Sequence, residues 1–479
     1  MYNLGQHYLD VAAKSPDFPA LVGAEAAFSH AEFANLILTL SGHLQSLGIG
    51  RGSVVAINTT STPVMLGVTF ATALLGSGLV VANRYLAREK NVTPTHFLRS
   101  PEVAGHPAVP FQVLDLAWIS SGKPARLPDF GLTDPDAPWL FLHSSGTTGT
   151  PKYIGLSQSA IRDRSKAAEV DFPFRATTLA TLFPCTSRPF LARAIAALLQ
   201  ACAIVDEPAP ERWGAAGVNF VAASPVQIKA ALAAPLPRKL ARLEVSGAKI
   251  PPDAAQVYLQ SFDRVLDVYG ASETAKSFAT ELYMDANGLV AAKGLPQDSE
   301  VQILRDDGSV CGVGEMGTVR VRNAYMCAGY IGQPEASAKA FRDGWFYPGD
   351  FAKWGEHGEL VVLGRQDDVI NLGGFKLQAD LADALVNSVD GVVEAAVFRN
   401  PLPNAGDPLI AFVVFRDKAQ IGRQADEIVK LFERTFGFGL TLRNVKPVPA
   451  LPRDEDGQVD RRACANLVVA RAAVTDGPR

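Results

Sequence analysis

Short apolar, β-branched runs alternate with helical patterns along most of this chain. Residues 53–58 (SVVAIN), 217–222 (GVNFVA) and 264–268 (RVLDV) read as strands. Residues 31–47 and 225–233 read as helices, the first repeating apolar positions at three- and four-residue spacing. Sheets covered by helices are the expected result, which makes the fold class α/β. Between residues 314 and 363 the pattern changes to short strands around glycine turns (GTVRV, GELVVLG), a small antiparallel β unit. Past Gly364-Arg365 a second alternation begins, with a helix at 379–386, strands at 392–398 and 409–415, and a helix at 425–436.

The chain has 479 residues, beyond the ~250–300 at which a single hydrophobic core stops growing. Two domains are expected: residues 1–366, layered α/β sheets plus the small antiparallel unit, and residues 367–479, a smaller α+β domain. Residues 62–82 carry no charge over a length that could span a bilayer, but hold three glycines and four Thr or Ser. A buried helix running into a strand is the preferred reading there. The Pro-rich DEPAP at 206–210 reads as a loop.

Apolar residues at 48%, charged residues at 20% and a net charge of -4 fit a globular protein and give no basic surface for nucleic acid or anionic membrane. The five cysteines are scattered and lack metal-ligand spacing, which suits a reducing, cytoplasmic setting. No secretory signal is visible at the N-terminus.

Candidate chemistry is densest at Ser144-Ser145-Gly146-Thr147-Thr148-Gly149-Thr150-Pro151-Lys152. Two glycines free the backbone to turn N–H groups toward phosphate oxygens, the hydroxyls add donors, and Lys152 adds a positive charge. Apolar runs on both sides (WLFLH, YIGL) place this loop between two strands, and the GxxxxGK[ST] spacing of a loop opening a helix is absent. Taken alone it is also compatible with a flexible surface turn.

Further segments follow in order. They are Ser246-Gly247-Ala248-Lys249-Ile250-Pro251, Val268-Tyr269-Gly270-Ala271-Ser272-Glu273, Ala328-Gly329-Tyr330, FRDGWFYPGD ending at Asp350, and Gly364-Arg365-Gln366-Asp367-Asp368. Together they resemble the adenylate-forming superfamily of acyl-CoA synthetases, peptide-synthetase adenylation domains and firefly luciferase, over about residues 28–462. The resemblance implies a phosphate loop at 144–152. It implies adenine lying against Gly247, Ala248 and Lys249 and stacking on Tyr269, with Gly270 and Ala271 in the same turn. Ser272, where the family commonly has Thr, would contact the α-phosphate, and Glu273 with Thr148 would hold Mg²⁺. Asp350 would accept the ribose hydroxyls, and Arg365 would pair with phosphate or ribose. Asp367 would be the hinge of a mobile C-terminal lid, and Gly373 and Gly374 would line the channel for a pantetheine thiol. The implied ligands are ATP or AMP, Mg²⁺, a carboxylic acid, and CoA or an acyl carrier protein.

One position departs from the family. Its PxxxxGKxxR segment reads Pro452-Arg453-Asp454-Glu455-Asp456-Gly457-Gln458-Val459-Asp460-Arg461, so Gln458 stands where the catalytic Lys belongs, and the nearest Lys upstream, Lys446, is twelve residues away. Glutamine donates hydrogen bonds without charge. Three readings fit: slow adenylation with Gln458, specialisation for thiolation of preformed acyl-AMP, or an introduced change that stalls the enzyme. A nucleotide-binding protein without turnover is the alternative from another class. In the family, amino-acid-activating members place an Asp early in the pocket-lining segment to pair with the α-ammonium; the corresponding residues 181–188 (TLFPCTSR) hold no acid, so the resemblance implies a non-amino acid, aryl or aliphatic. Arg188 could meet a second carboxylate, although a structural or solvated role is preferred. A core or supporting role is likewise preferred for His143.

Overall fold

A computed structural model describes residues 2–23, 27–81, 92–104, 111–114, 134–144, 152–207, 209–232, 235–250, 252–366, 369–372, 375–402, 407–436, 442–453 and 459–475. The chain forms two compact units. The first holds residues 1–301, 320–347 and 357–359, and the second holds 302–319, 348–356 and 360–479.

The first unit contains two sheets. One runs nine strands wide, in the order Val290–Pro296, Ala275–Met284, Phe262–Ala271, Leu240–Ser246, Phe220–Ala223, Thr178–Thr181, Ala203–Asp206, Pro19–Gly23 and Ala27–Ser29. Its centre is parallel and its two margins are antiparallel. The other has six strands, in the order Gln112–Val113, His96–Arg99, Val54–Asn58, Gly78–Val81, Pro138–Ser144 and Lys152–Ser157. Only its last pair is antiparallel. Parallel strands covered on both faces become continuous apolar runs, as residues 54–57 and 220–223 do.

The uncharged stretch from residue 62 forms the helix Thr62–Leu75, which stops at Gly76 in the left-handed region (φ 65°) and leads into strand Gly78–Val81. Its whole circumference is buried, which removes the need for a polar face. No helix among the described residues is long and apolar enough to cross a membrane. Helix His30–Ser46 starts in a capping box: Ser29 accepts the Glu32 N–H and Glu32 accepts the Ser29 N–H.

In the second unit, strands Val392–Arg399, Leu409–Phe415 and Asn444–Pro447 form a three-stranded sheet. Side-chain alternation sends Ala395 and Val397 into one cluster with Ile428 and Phe432, and Ala396 and Phe398 into another with Cys464 and Val468. Helices Ala379–Asn387 and Ile421–Phe436 thus cover one face, and helix Arg461–Thr475 covers the other.

The units divide elsewhere than the expected 366/367 boundary. Residues 302–319, 348–356 and 360–366 group with the C-terminal part. The reason is pairing: Gly317 and Thr318 lie opposite Ala352 and Phe351, and Asp350–Trp354 pairs along Leu360–Arg365. The antiparallel unit read from residue 314 onward is therefore shared between the two units and not wholly N-terminal.

Candidate active site

The ends of the parallel strands in the nine-stranded sheet carry the first group of candidate residues. Ser246 lies beside Val268 in the register of Leu240–Ser246 and Phe262–Ala271, so Gly247-Ala248-Lys249 and Tyr269 leave neighbouring strand ends. In such sheets ligands gather at the C-terminal strand ends. Gly247 takes φ +99°, a conformation suited to glycine, and the 247–249 turn is exposed. Gly270 is forced by packing, because a Cβ there would stand 2.2 Å from the Ala275 carbonyl oxygen.

The Ala271–Glu273 turn is fixed by two arginines. Ser157 caps helix Gln158–Ala167 by accepting the Ala160 N–H, and this helix presents Arg164. Arg164 donates Nη1 to Ser272 O (3.1 Å), Nη2 to Glu273 O (2.9 Å) and Nε to Tyr325 O (3.1 Å). Burial pushes its guanidinium pKa down to about 10, so it stays charged at neutral pH. Arg188, opening helix Arg188–Leu199, donates Nη1 to Ala271 O at 3.1 Å. This is the preferred structural role. The Cys327 N–H adds a fourth hold, donating to Glu273 O at 2.9 Å.

With its backbone held, the Glu273 side chain lies buried, and its Oε1 accepts the Tyr330 hydroxyl at 2.8 Å. The Lys152 Nζ lies 5.0 Å from the centroid of the Tyr330 ring, a cation–π distance. Lys152, Tyr330 and Glu273 therefore converge, although 178 and 57 residues separate Tyr330 from Lys152 and Glu273 in sequence. The segment expected to hold phosphate is flanked by two strands, as read from the sequence: Ser144 is paired with Lys152 in an antiparallel register. Its residues Ser145, Gly146, Thr147, Thr148 and Gly149 lie outside the described residues, as do Asp367, expected as the hinge, Gly373 and Gly374, expected to line the thiol channel, and Gln458.

Glu273 suits Mg²⁺. A hard cation of this size binds through one or two carboxylates together with phosphate oxygens. Among the described residues no cluster of three His, Cys, Asp or Glu offers an all-protein cage, and a single buried carboxylate matches that mode.

A second group lies in the second unit. Asp350 and Arg365 are directly opposed across two antiparallel strands. Arg365 Nη1 is 3.5 Å from Asp350 Oδ1, and Nη2 donates to Pro348 O at 3.0 Å. Its buried Nε has no partner among the described residues, so it could serve an oxygen of a bound ligand. The flanks of residue 458 are also fixed. Arg453 bridges to Val459 and pairs with Glu394, and Arg461 pairs with Asp383 and, at 2.7 Å, with Asp380.

Asp267, two residues before Tyr269, was not singled out by sequence. Burial pushes its carboxyl up to about 6, although it accepts the Ile250 N–H at 3.2 Å and Lys249 favours its charge. A carboxyl with a raised folded pKa stabilises the fold while protonated. That contribution is full below the ordinary value near 3.8 and is lost as pH rises through about 6. Asp267→Asn should therefore gain on the order of 2–3 kcal/mol over the parent at pH 7.5, and much less at pH 4. Urea melts across that range test it: a pH-independent difference would show that burial does not govern this group.

Residues 98–331 match the AMP-binding enzyme family, and residues 382–458 match its C-terminal domain. The chain is similar to 2-hydroxy-7-methoxy-5-methyl-1-naphthoate–CoA ligase of Streptomyces carzinostaticus, at 31% identity over 46% of this chain and 40% of that protein. It is also similar to salicyl-AMP ligase / salicyl-S-ArCP synthetase of Mycobacterium tuberculosis, at 28% identity over 85% of this chain and 75% of that one. In fold it matches o-succinylbenzoate CoA synthetase from Bacillus subtilis, solved in complex with its acyl-adenylate intermediate. The TM-score is 0.83 at 18% identity, covering 96% of this chain and 97% of that one.

Proposed function

We propose that this chain, which belongs to the AMP-binding enzyme family, is an AMP-forming acid–thiol ligase. A carboxylate oxygen of the acid attacks the α-phosphorus of ATP and pyrophosphate leaves. The thiol of CoA or of a carrier protein's phosphopantetheine then attacks the acyl carbon of the acyl-AMP and releases AMP. The observation that carries this reading is the buried Glu273 carboxylate, hydrogen-bonded to Tyr330, whose ring Lys152 faces, on a turn whose carbonyls are held by Arg164 and Arg188.

Two anions must meet in the first step, so the site has to supply fixed positive charge and donors. Lys152 answers the charge of the departing pyrophosphate. Ser272 donates its hydroxyl to the α-phosphate, and the guanidinium clamp keeps the turn from shifting as charge moves. A magnesium ion on Glu273, when bound, neutralises phosphate charge. Asp350 accepts from the ribose hydroxyls, with Arg365 beside it. Adenine lies along 247–249 against Tyr269.

The substrate is a carboxylic acid without an α-ammonium, aryl or aliphatic, since the 181–188 segment offers no acid to pair with one. The names of the similar ligases, naphthoate–CoA and salicyl-S-ArCP, support an aryl acid and leave both thiol acceptors in play. Five free cysteines, all buried, support a reducing, cytoplasmic setting.

Gln458 favours a second reading. The chain would take preformed acyl-AMP to a thioester, since thiolation has no need of the missing Lys. The test supplies Mg-ATP, a panel of carboxylic acids, and either CoA or a phosphopantetheinylated carrier protein, beside the same reaction started from acyl-AMP. Thioester, AMP and pyrophosphate in equal amounts are expected from at least one acid. Thioester from acyl-AMP alone would establish the second reading, and none from either route would sink both.

A further inference from the structure

The first unit contains a closed cluster of five ionic side chains beside the candidate site. Glu244, only 2% exposed, accepts from Arg193 Nη2 (3.1 Å), Lys276 Nζ (2.7 Å) and Arg242. Asp171 accepts from Arg242 (2.5 Å) and Lys276 (3.0 Å). Burial opposes ionisation of Glu244, yet Lys276, Arg242 and Arg193 hold its carboxyl well below the usual range. Three cations face two carboxylates, which leaves one positive charge without a counterpart among the described residues. Arg242 Nε is buried and lacks a hydrogen-bond partner there.

Buried ion clusters are costly, and apolar residues of the same volume are often as stable or more so. An uncompensated charge in such a cluster makes stability a poor explanation. The cluster also keeps some access: the side chains of Lys276, Arg193, Arg242 and Asp171 retain 21%, 13%, 13% and 11% exposure.

Its position follows from the elements that carry it. Lys276 lies three residues beyond Glu273, and Glu244 lies three residues before Gly247, about 10 Å along a strand. Arg193 is five residues, or about 7.5 Å, along the helix whose first residue, Arg188, bonds Ala271 O. The same strands and helix that hold the reacting end therefore hold a cationic cluster ~7–10 Å away.

We infer that the acid this site takes carries a second, remote anionic group (a carboxylate, sulfonate or phenolate), which this cluster receives. The inference rests on the ligase reading above. The second anion supplies the missing counter-charge, and Lys276, the most accessible of the three cations, makes the contact.

Two comparisons test it. In the first, sulfamoyl adenosines bearing a 4-carboxybenzoyl or a benzoyl group are titrated into the protein. This reads acyl recognition without turnover and is unaffected by Gln458. In the second, thioester formation is compared for terephthalate against benzoate and for adipate against hexanoate. A charge-assisted hydrogen bond predicts that the charged member is preferred by about 10- to 100-fold. Lys276→Met should bring that ratio close to one, and Lys276→Arg should keep most of it. Equal binding of the two analogues overturns the inference. So does a Lys276→Met effect that weakens both alike, since that is what a purely structural cluster would give. If uncharged acids are turned over and charged ones are not, only the inference fails. If neither analogue binds and no acid or acyl-AMP yields thioester, the ligase reading fails with it.

Discussion

Replacing Glu273 by Gln is expected to lower thioester formation from acid and ATP by ~10²–10³-fold, or about 3–4 kcal/mol of transition-state stabilisation. Glutamine has nearly the same shape, and its amide oxygen can still accept the Tyr330 hydroxyl now bonded to Oε1 at 2.8 Å. The turn itself is held through backbone carbonyls by Arg164, Arg188 and the Cys327 N–H, none of which the substitution touches. Stability should therefore stay level. What is lost is the negative charge that draws Mg²⁺, so the magnesium concentration for half-maximal rate should rise together with the fall in kcat. Thiolation from preformed acyl-AMP should suffer much less, because the pyrophosphate charge is absent from that step. Activity within threefold of the parent at low magnesium would remove Glu273 from the metal site.

The elements that build this site were legible, and the contacts that tighten it were not. Apolar runs located the strands within 217–223 and 262–271 and the helix near residues 30–46, because such patterns are written locally in the chain. The uncharged stretch from residue 62 forms a helix and then a strand, its length and lack of charge marking a buried element and its glycines the break. Gly270 and Glu273 came from the resemblance of residues 268–273 to a family segment, since alone that segment reads as a turn after a strand. Arg164 was invisible because its acceptors are main-chain carbonyls 108, 109 and 161 positions away, which no side-chain pattern records. Tyr330 was seen only as part of Ala328-Gly329-Tyr330, and its bond to Glu273 required the fold. No sequence pattern links Asp171, Arg193, Arg242, Glu244 and Lys276. Only strand register and the helix above the sheet bring them together out of water. The grouping of residues 302–319, 348–356 and 360–366 with the C-terminal part follows antiparallel pairing across residues 317–318 and 350–365, a non-local property.

Gln458→Lys carries the other large expected effect, and it has the opposite sign. The family's lysine at this place supplies positive charge to the α-phosphate, ribose and carboxylate during adenylation, and Gln458 supplies at most a neutral donor. Restoring the charge should raise ATP–pyrophosphate exchange by ~10²–10³-fold. The flanks favour a simple exchange of side chains. Arg453 is tied to Glu394 and to Val459, and Arg461 to Asp380 and Asp383, so the segment's ends are fixed by groups the substitution leaves alone. Buried Asp383 also accepts the Val397 N–H at 2.5 Å, which ties helix Ala379–Asn387, and through it Arg461, to the three-stranded sheet. Thiolation of supplied acyl-AMP should be unchanged, and that contrast separates the two functional readings. A parent with weak exchange, a variant with strong exchange and equal thiolation in both would show a ligase whose first step is throttled at one residue. A parent with robust exchange and no gain from lysine would mean that a charge from elsewhere already does this work, and Gln458 would cease to limit adenylation. A variant still without exchange for any acid, but with full thiolation, would assign the chain to thiolation alone.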